Sequence, residues 1–240
     1  MDTHNNLAIM LPNINPYLRP KGISEDKWCD LKISEMEETI LSVGADQIGC
    51  FIAEPILASG GVIVPPAGYH QRSLELCKKY DIIYISDETV TGFGRLGHWF
   101  ASKEVFNIQP DIITCAKGLT SGYLPMGAAI ISDSLIDGIK NTEGSQPFTN
   151  GYTYSCHPVA AKAALTNINI ISNDNIIKER IESERADISK NTWNLKNPKV
   201  FKDAKLIKKI NNFDKDIKNI NMKGITEFGK GGMITKIEAA

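Results

Sequence analysis

No stretch of these 240 residues stays apolar for the length needed to cross a bilayer, and the opening MDTHNNLAIMLPNINPY lacks the basic start and long apolar core of a secretory signal. Neither membrane embedding nor secretion by such a signal is expected, so the cytoplasm is the default compartment. An excess of one charge is missing too. Lys and Arg total 27 against 28 for Asp and Glu, a formal net charge of -1, which offers no general attraction to nucleic acid or to an acidic membrane surface. Five cysteines, Cys29, Cys50, Cys77, Cys115 and Cys156, form no C-x-x-C pair and are odd in number. That usage argues against a disulfide framework and fits a reducing compartment. Internal repeats and functional low-complexity runs are absent as well. What the chain does have is a 42% hydrophobic content, enough to bury a core in one good-sized domain or two small ones.

Apolar periodicity divides that content into elements. Ile33, Met36, Ile40 and Leu41 recur at helical spacing and Gly44 follows as a stop signal. QIGCFIAEPI, 47 to 56, is an apolar run of strand length, ended by Pro55 and the Gly60-Gly61 pair. A helix fits 68 to 80, with Leu74, Leu76 and Cys77 on its apolar side. Three strands follow at 81 to 88, 111 to 115 and 128 to 132. Continuous apolar strands alternating with helices predict an α/β fold with a mostly parallel sheet covered on both faces. An alanine-rich helix is expected from Pro158 to Ile171. Past about residue 172 the composition turns to Lys, Asn, Asp and Ile, and Leu206, Ile210, Phe213, Ile217 and Ile220 share one helical face, which predicts a small second, helical unit.

Two residues carry the chemistry. Asp87 closes the strand IIYISDE and Lys117 lies just past IITCA, so neighbouring parallel strands would bring both to one carboxyl edge, where functional groups of such sheets collect. Burial of a lysine favours its neutral amine, the form that attacks a carbonyl to make a Schiff base, while a buried carboxylate needs a cation nearby. Pyridoxal phosphate satisfies both needs with one ring, through its aldehyde and its pyridinium nitrogen. His98 and His157 have no companions at ligand spacing and read as structural, so no metal is expected. GFGRLG, 92 to 97, spells G-x-G-x-x-G, with Asp111 at nearly the distance of a ribose-binding acid. Residues 87 to 91 intervene between the strand and the first glycine, and Asp111 begins its strand rather than ending one, so these glycines shape a loop and not a dinucleotide site.

IAEPI (52 to 56), GGVIVPPAGY (60 to 69), DETVTGFGRLG (87 to 97), PDIITCAKGLTSGYLPMGA (110 to 128) and GYTYSCHPVAA (151 to 161) together resemble the class-III aminotransferases, fold-type I enzymes dependent on pyridoxal phosphate, and within them the omega-amino acid:pyruvate group. NPYLRP, 15 to 20, and GKGGMITKIE, 229 to 238, extend the likeness weakly toward both ends. The resemblance implies that residues 1-160 are the second half of a cofactor-binding large domain and 161-240 a linking helix with part of a small C-terminal α/β domain. It implies transfer of an amino group from an amine or omega-amino acid to a keto acid.

Position by position, Lys117 matches the lysine that holds the cofactor as a Schiff base and shuttles a proton, and Asp87 the acid paired with the pyridine nitrogen. Thr89 stands where a Val or Ile usually lies against one ring face. Thr153 matches the threonine that reaches the phosphate of the cofactor in the neighbouring subunit, which implies a dimer. Glu54 matches a substrate-side glutamate, and Cys156 replaces the glycine usual in YSGHP. The phosphate cup and stacking aromatic upstream in the family, and the carboxylate-gripping arginine downstream, have no counterpart in these 240 residues. A truncated chain with unpaired sheet edges, poor solubility and weak cofactor binding is therefore expected. The rival expectations are a noncatalytic scaffold that pairs with a full-length relative, and another pyridoxal-phosphate enzyme such as a racemase, isomerase or lyase.

Overall fold

A computed structural model of the chain describes residues 7–141, 151–174, 176–182, 185–189, 192–196, 199–202 and 205–209. They fall into two compact units, drawn from Met1–Gly92 with Phe100–Ala164 and from Phe93–Trp99 with Leu165–Ala240.

The first unit is built on α1 (Glu25–Val43), β1 (Cys50–Ala53), α2 (Tyr69–Lys79), β2 (Ile83–Asp87), α3 (Ala101–Glu104), β3 (Ile112–Cys115), β4 (Ala128–Ile131) and α4 (Asp133–Asn141). Helix α1 starts at Ser24, whose hydroxyl accepts from Lys27 N at 3.3 Å, has Glu25 and Asp26 in its first turn, and stops at Gly44 with φ 95. The expected spacing found its last turns only. The first turns read as polar, yet there too an inward stripe forms, because Cys29 and Lys32 continue the row of Ile33, Met36 and Ile40. Burying Lys32 is tolerated because its ammonium pairs with Glu35 at 2.8 Å and lies 4.2 Å from the Trp28 ring centroid. Leu41 points outward, 62% exposed. Replacing Ser24 with Ala should lower stability by about 1 kcal/mol, read as an earlier urea midpoint with an unchanged m-value.

The sheet has the order β1-β2-β3-β4. β1, β2 and β3 run parallel, Ala53 beside Ser86 and Asp87 beside Thr114, while β4 returns antiparallel with Ala128 beside Cys115. Strand alternation sends Tyr84 and Ser86 to the face packed by α1 and α2, and Ile83, Ile85 and Asp87 to the other. The core on the helical side joins Cys29, Met36, Tyr69, Leu74, Cys77 and Tyr84, with Phe51 edge-on to Tyr84 at 5.3 Å. The sheet is mostly parallel, as expected, but its covering is one-sided at the edges: every residue of β4 is exposed, and Ile52 and Ile130 are 58% and 46% exposed.

In the second unit β5 (Glu179–Glu182), β8 (Lys199–Lys202) and β9 (Lys205–Lys209) form one antiparallel sheet, and β6 (Arg185–Ser189) with β7 (Thr192–Lys196) another. Helix α5 (Pro158–Asn173) contributes residues to both units. The expected helical face through Leu206 is corrected here: Leu206 lies on β9 and pairs with Phe201. The helical row was read from spacings of three and four residues, and for Leu206 pairing with a neighbouring strand outweighs that row. Ile210, Phe213, Ile217 and Ile220 lie outside the described residues.

Candidate active site at the carboxyl edge of the sheet

Three of the candidate residues sit at the carboxyl ends of three adjacent parallel strands. Glu54 follows β1, Asp87 ends β2, and Lys117 comes two residues after β3. Register makes this concrete, since Asp87 stands beside Thr114, the residue third before Lys117. The two residues picked out as chemical partners are therefore brought to one edge by strand pairing rather than by loop geometry.

Asp87 is half-buried and held on one oxygen. Its Oδ1 accepts from the Thr89 backbone N–H at 3.0 Å and from the Thr114 hydroxyl at 3.1 Å. Among the described residues no donor is given to Oδ2, so the carboxylate is anchored through one oxygen with the other open to a cationic partner. The contact with Thr89 N is an Asx-type turn, which bends the chain sharply out of the strand. Thr89 is itself half-buried two residues on, at the same edge.

Lys117 begins a short 3-10 turn, Lys117–Leu119, and takes φ 39. A left-handed backbone at a residue with a Cβ costs about 1–3 kcal/mol and marks positions where the surroundings impose the conformation. Ala116, at φ -159 and ψ -144, turns the chain out of β3 immediately before it. The expected burial of this lysine is not found: Lys117 is exposed. The short turn after β3 leaves it exposed at the carboxyl edge of the sheet.

Glu54 has a local partner of its own. Glu54 Oε2 accepts from Ala58 N at 3.0 Å, closing the turn after β1. Thr153 is exposed, in a turn that ends at Cys156, which adopts φ 58. Cys156, standing where the resemblance expects glycine, thus keeps a glycine-like conformation, and its exposed side chain points clear of the turn.

The residues that shape this edge from behind escaped the sequence reading. Glu88 is fully buried and accepts from Thr91 Oγ1 at 2.6 Å, Ala101 N at 2.8 Å, Ser102 N at 2.7 Å and the Ser102 hydroxyl. The signal available was its place directly after a strand-ending acid, on the opposite side of the alternation. His70 is 1% exposed and sits between Tyr84 OH at 2.9 Å and the Pro55 carbonyl at 3.0 Å. The carbonyl can only accept, so Nε2 carries the proton and Nδ1 accepts from Tyr84. His70 thereby ties the peptide after Glu54 to β2. Asp111, the ribose-acid candidate, accepts from Tyr84 N through Oδ2 at 2.8 Å and is a brace between β2 and β3.

Burial pushes the His70 imidazole down from its ordinary value, more than the Pro55 carbonyl and the Glu88 charge raise it. Its folded value lies below that of the unfolded chain, about 6.5. As pH falls through about 6.5, the unfolded chain takes up a proton that the folded chain refuses, so stability drops by up to about 1.4 kcal/mol per pH unit until the folded value is reached. Urea midpoints for the wild type should fall between pH 7 and pH 5 by more than those of His70→Gln. Parallel falls would show that His70 is not the group responsible.

Chemically the edge presents a primary amine and a carboxylate with one oxygen open, spaced by adjacent strands. Among the described residues no three His, Cys, Asp or Glu side chains gather at one point.

Comparison with known proteins agrees with the geometry. The family model described as aminotransferase class-III matches residues 2–210. The putrescine–pyruvate aminotransferase of Pseudomonas aeruginosa is 43% identical over 180 residues, 74% of this chain and 38% of that protein. The chloroplastic gamma aminobutyrate transaminase 3 of Solanum lycopersicum is 42% identical over 66% of this chain and 30% of its own length. Among solved structures, a thermostable (S)-enantioselective omega-transaminase from Thermomicrobium roseum superposes with a TM-score of 0.63 at 39% identity, covering 68% of this chain and 36% of that one. The chain thus spans well under half the length of these relatives. A family model that covers residues 2–210, together with relatives more than 40% identical over most of the chain, places this chain in the class-III aminotransferases.

Proposed function

We propose that the chain is part of a pyridoxal-phosphate-dependent aminotransferase that moves an amino group from an amine or omega-amino acid to a keto acid. Residues 1-160 are its share of the large domain and 161-240 the linking helix with part of the small domain. The observation that supports this reading most directly is the placement of Asp87 and Lys117 at the carboxyl ends of adjacent parallel strands.

When bound, the cofactor supplies an electron sink that stabilises negative charge on the substrate carbon next to the nitrogen. The protein's part is binding, orientation and proton movement. Lys117 Nζ would be the amine that holds the cofactor carbonyl, and as a free amine it would be the base to take a proton and return it. Asp87, through Oδ2, would keep a proton on the ring nitrogen, while Thr114 and Thr89 N keep its Oδ1 fixed. Thr89, two residues beyond Asp87, would help to hold the ring. Glu54 stands on the substrate side, with its other oxygen engaged by Ala58 N. Thr153 serves the phosphate bound by a partner subunit, which makes the working unit a dimer.

Amino transfer to pyruvate is the direct test, with putrescine and 4-aminobutyrate as donors because the relatives are named for them. Alanine should form when the chain is supplied with pyridoxal phosphate and a longer relative able to complete the dimer, and Lys117→Ala in this chain should reduce it. Alanine formation that is indifferent to Lys117 would point to a noncatalytic subunit.

A further inference from the structure

We propose that Glu88 is a positioning residue for Asp87: its buried carboxylate clamps the chain directly after the acid and so fixes which way the Asp87 side chain leaves the strand. That this serves a ring nitrogen rests on the function proposed above; the clamp itself does not.

The two acids are consecutive and face opposite ways. Asp87 looks to the open side of the sheet, while Glu88 is sealed beneath it. Every described partner of Glu88 is a donor, and two of these are backbone N–H groups, of Ala101 and Ser102, at the start of α3. Both carboxylate oxygens are used, Oε2 by Thr91 and Ala101 and Oε1 by Ser102. With the Ser102 hydroxyl proton given to Glu88 Oε1, Ser102 Oγ accepts from the hydroxyl of Ser86 at 2.9 Å, one residue before Asp87 on the same strand. The chain on both sides of Asp87 is thus secured from one point. Glu88's own backbone is secured too, its N–H donating to Thr114 O at 2.8 Å and its carbonyl accepting from Gly92 N at 2.9 Å.

Gly92 shows how close this fastening is, because a Cβ there would come within 2.9 Å of the Glu88 carbonyl. With Glu88 immobile, the peptide that follows Asp87 cannot rotate, and the Thr89 N–H stays aimed at Asp87 Oδ1. A residue that only filled space here would not need two oxygens and four donors. The geometry is that of a carboxylate used as a rigid knot, which transmits its rigidity to its neighbour through one peptide bond.

Glu88→Gln isolates the effect. An amide offers one acceptor oxygen and turns its NH2 toward a backbone N–H that cannot reorient, so the knot loosens while the side-chain shape is kept. Amide hydrogen exchange in the chain without cofactor should show Thr89 exchanging about tenfold faster, relative to amides of α1 and α2, as expected for loss of roughly one hydrogen bond. Unchanged exchange at Thr89 overturns the proposal, and so does acceleration shared equally by Thr89, α1 and α2, which would make Glu88 a support of the whole fold. In a second measurement, pyridoxal phosphate is added and the pH profile of its visible absorbance is compared among wild type, Asp87→Asn and Glu88→Gln. Glu88→Gln should shift the profile in the same direction as Asp87→Asn. If Asp87→Asn shifts it and Glu88→Gln does not, the proposal fails. If Asp87→Asn leaves the profile unchanged, the reading of Asp87 fails instead, and the exchange result still decides whether Glu88 holds it.

Discussion

Borohydride reduction of the chain mixed with limiting pyridoxal phosphate is expected to leave a phosphopyridoxyl group on Lys117 in preference to the other lysines, and Lys117→Ala is expected to lose that label. Exposed lysines all react slowly with aldehydes, but Lys117 alone among the candidate amines follows a strand whose parallel neighbour ends in a carboxylate. An aldehyde reaching Lys117 can set its ring nitrogen toward Asp87, and that second contact makes the adduct longer-lived than adducts elsewhere. Peptide mapping reads the result. Label spread over the exposed lysines without preference for residue 117 would make it an ordinary solvated loop residue. On the function proposed above the same amine also carries the proton, and positioned acid–base groups contribute about 10²–10⁴-fold, so in the assembled enzyme Lys117→Ala should lower transfer by at least that factor. Asp87→Asn should leave attachment possible and weaken the preference, since the amine is untouched.

The second large effect lies in the core. Met36 is 2% exposed at the centre of the cluster that joins α1 and α2 to β2. Truncation to Ala removes its side chain from that close-packed region and should cost about 2–5 kcal/mol, from lost transfer energy and the cavity left behind. Against a typical total of about 5–15 kcal/mol this is a large share. Met36→Leu, nearly equal in volume, should cost less than about 1.5 kcal/mol. Urea unfolding followed by circular dichroism separates the two. If Ala and Leu behaved alike, close packing around Met36 would not be what holds α1 to the sheet. Labelling of Lys117 in the folded fraction should be the same in both, because residue 36 belongs to the core on the side of the sheet opposite Asp87.

Much of this was legible in the sequence, for identifiable reasons. Strand ends were readable because β2 and β3 are continuous apolar runs that stop abruptly at an acid or just short of a lysine, and in a parallel sheet such stops share an edge. Helix α2 was readable to within a residue, since Gly68 and Tyr80 flank Tyr69–Lys79. The direction of β4 was not, because AAII has no signal for parallel or antiparallel pairing and only the register with β3 decides it. Glu88 and His70 were missed for another reason. Single polar letters look alike whether they face water or satisfy buried donors, and only the partners that surround them, drawn from residues 13 to 15 positions away, tell the two apart. Lys117 was expected to be buried, whereas a left-handed turn, which sequence hardly encodes at a lysine, carries it outward.

The reversal of direction at β4 has a mechanical meaning. Residues 116–127 leave the sheet at Cys115 and re-enter it opposite, at Ala128, so the reactive amine rides on a bight whose two feet stand side by side. Peeling the outermost strand would free one foot and let the amine wander. Whatever shields that bare margin from solvent therefore also steadies Lys117, and covering the edge and holding the amine become two readings of the same zipper.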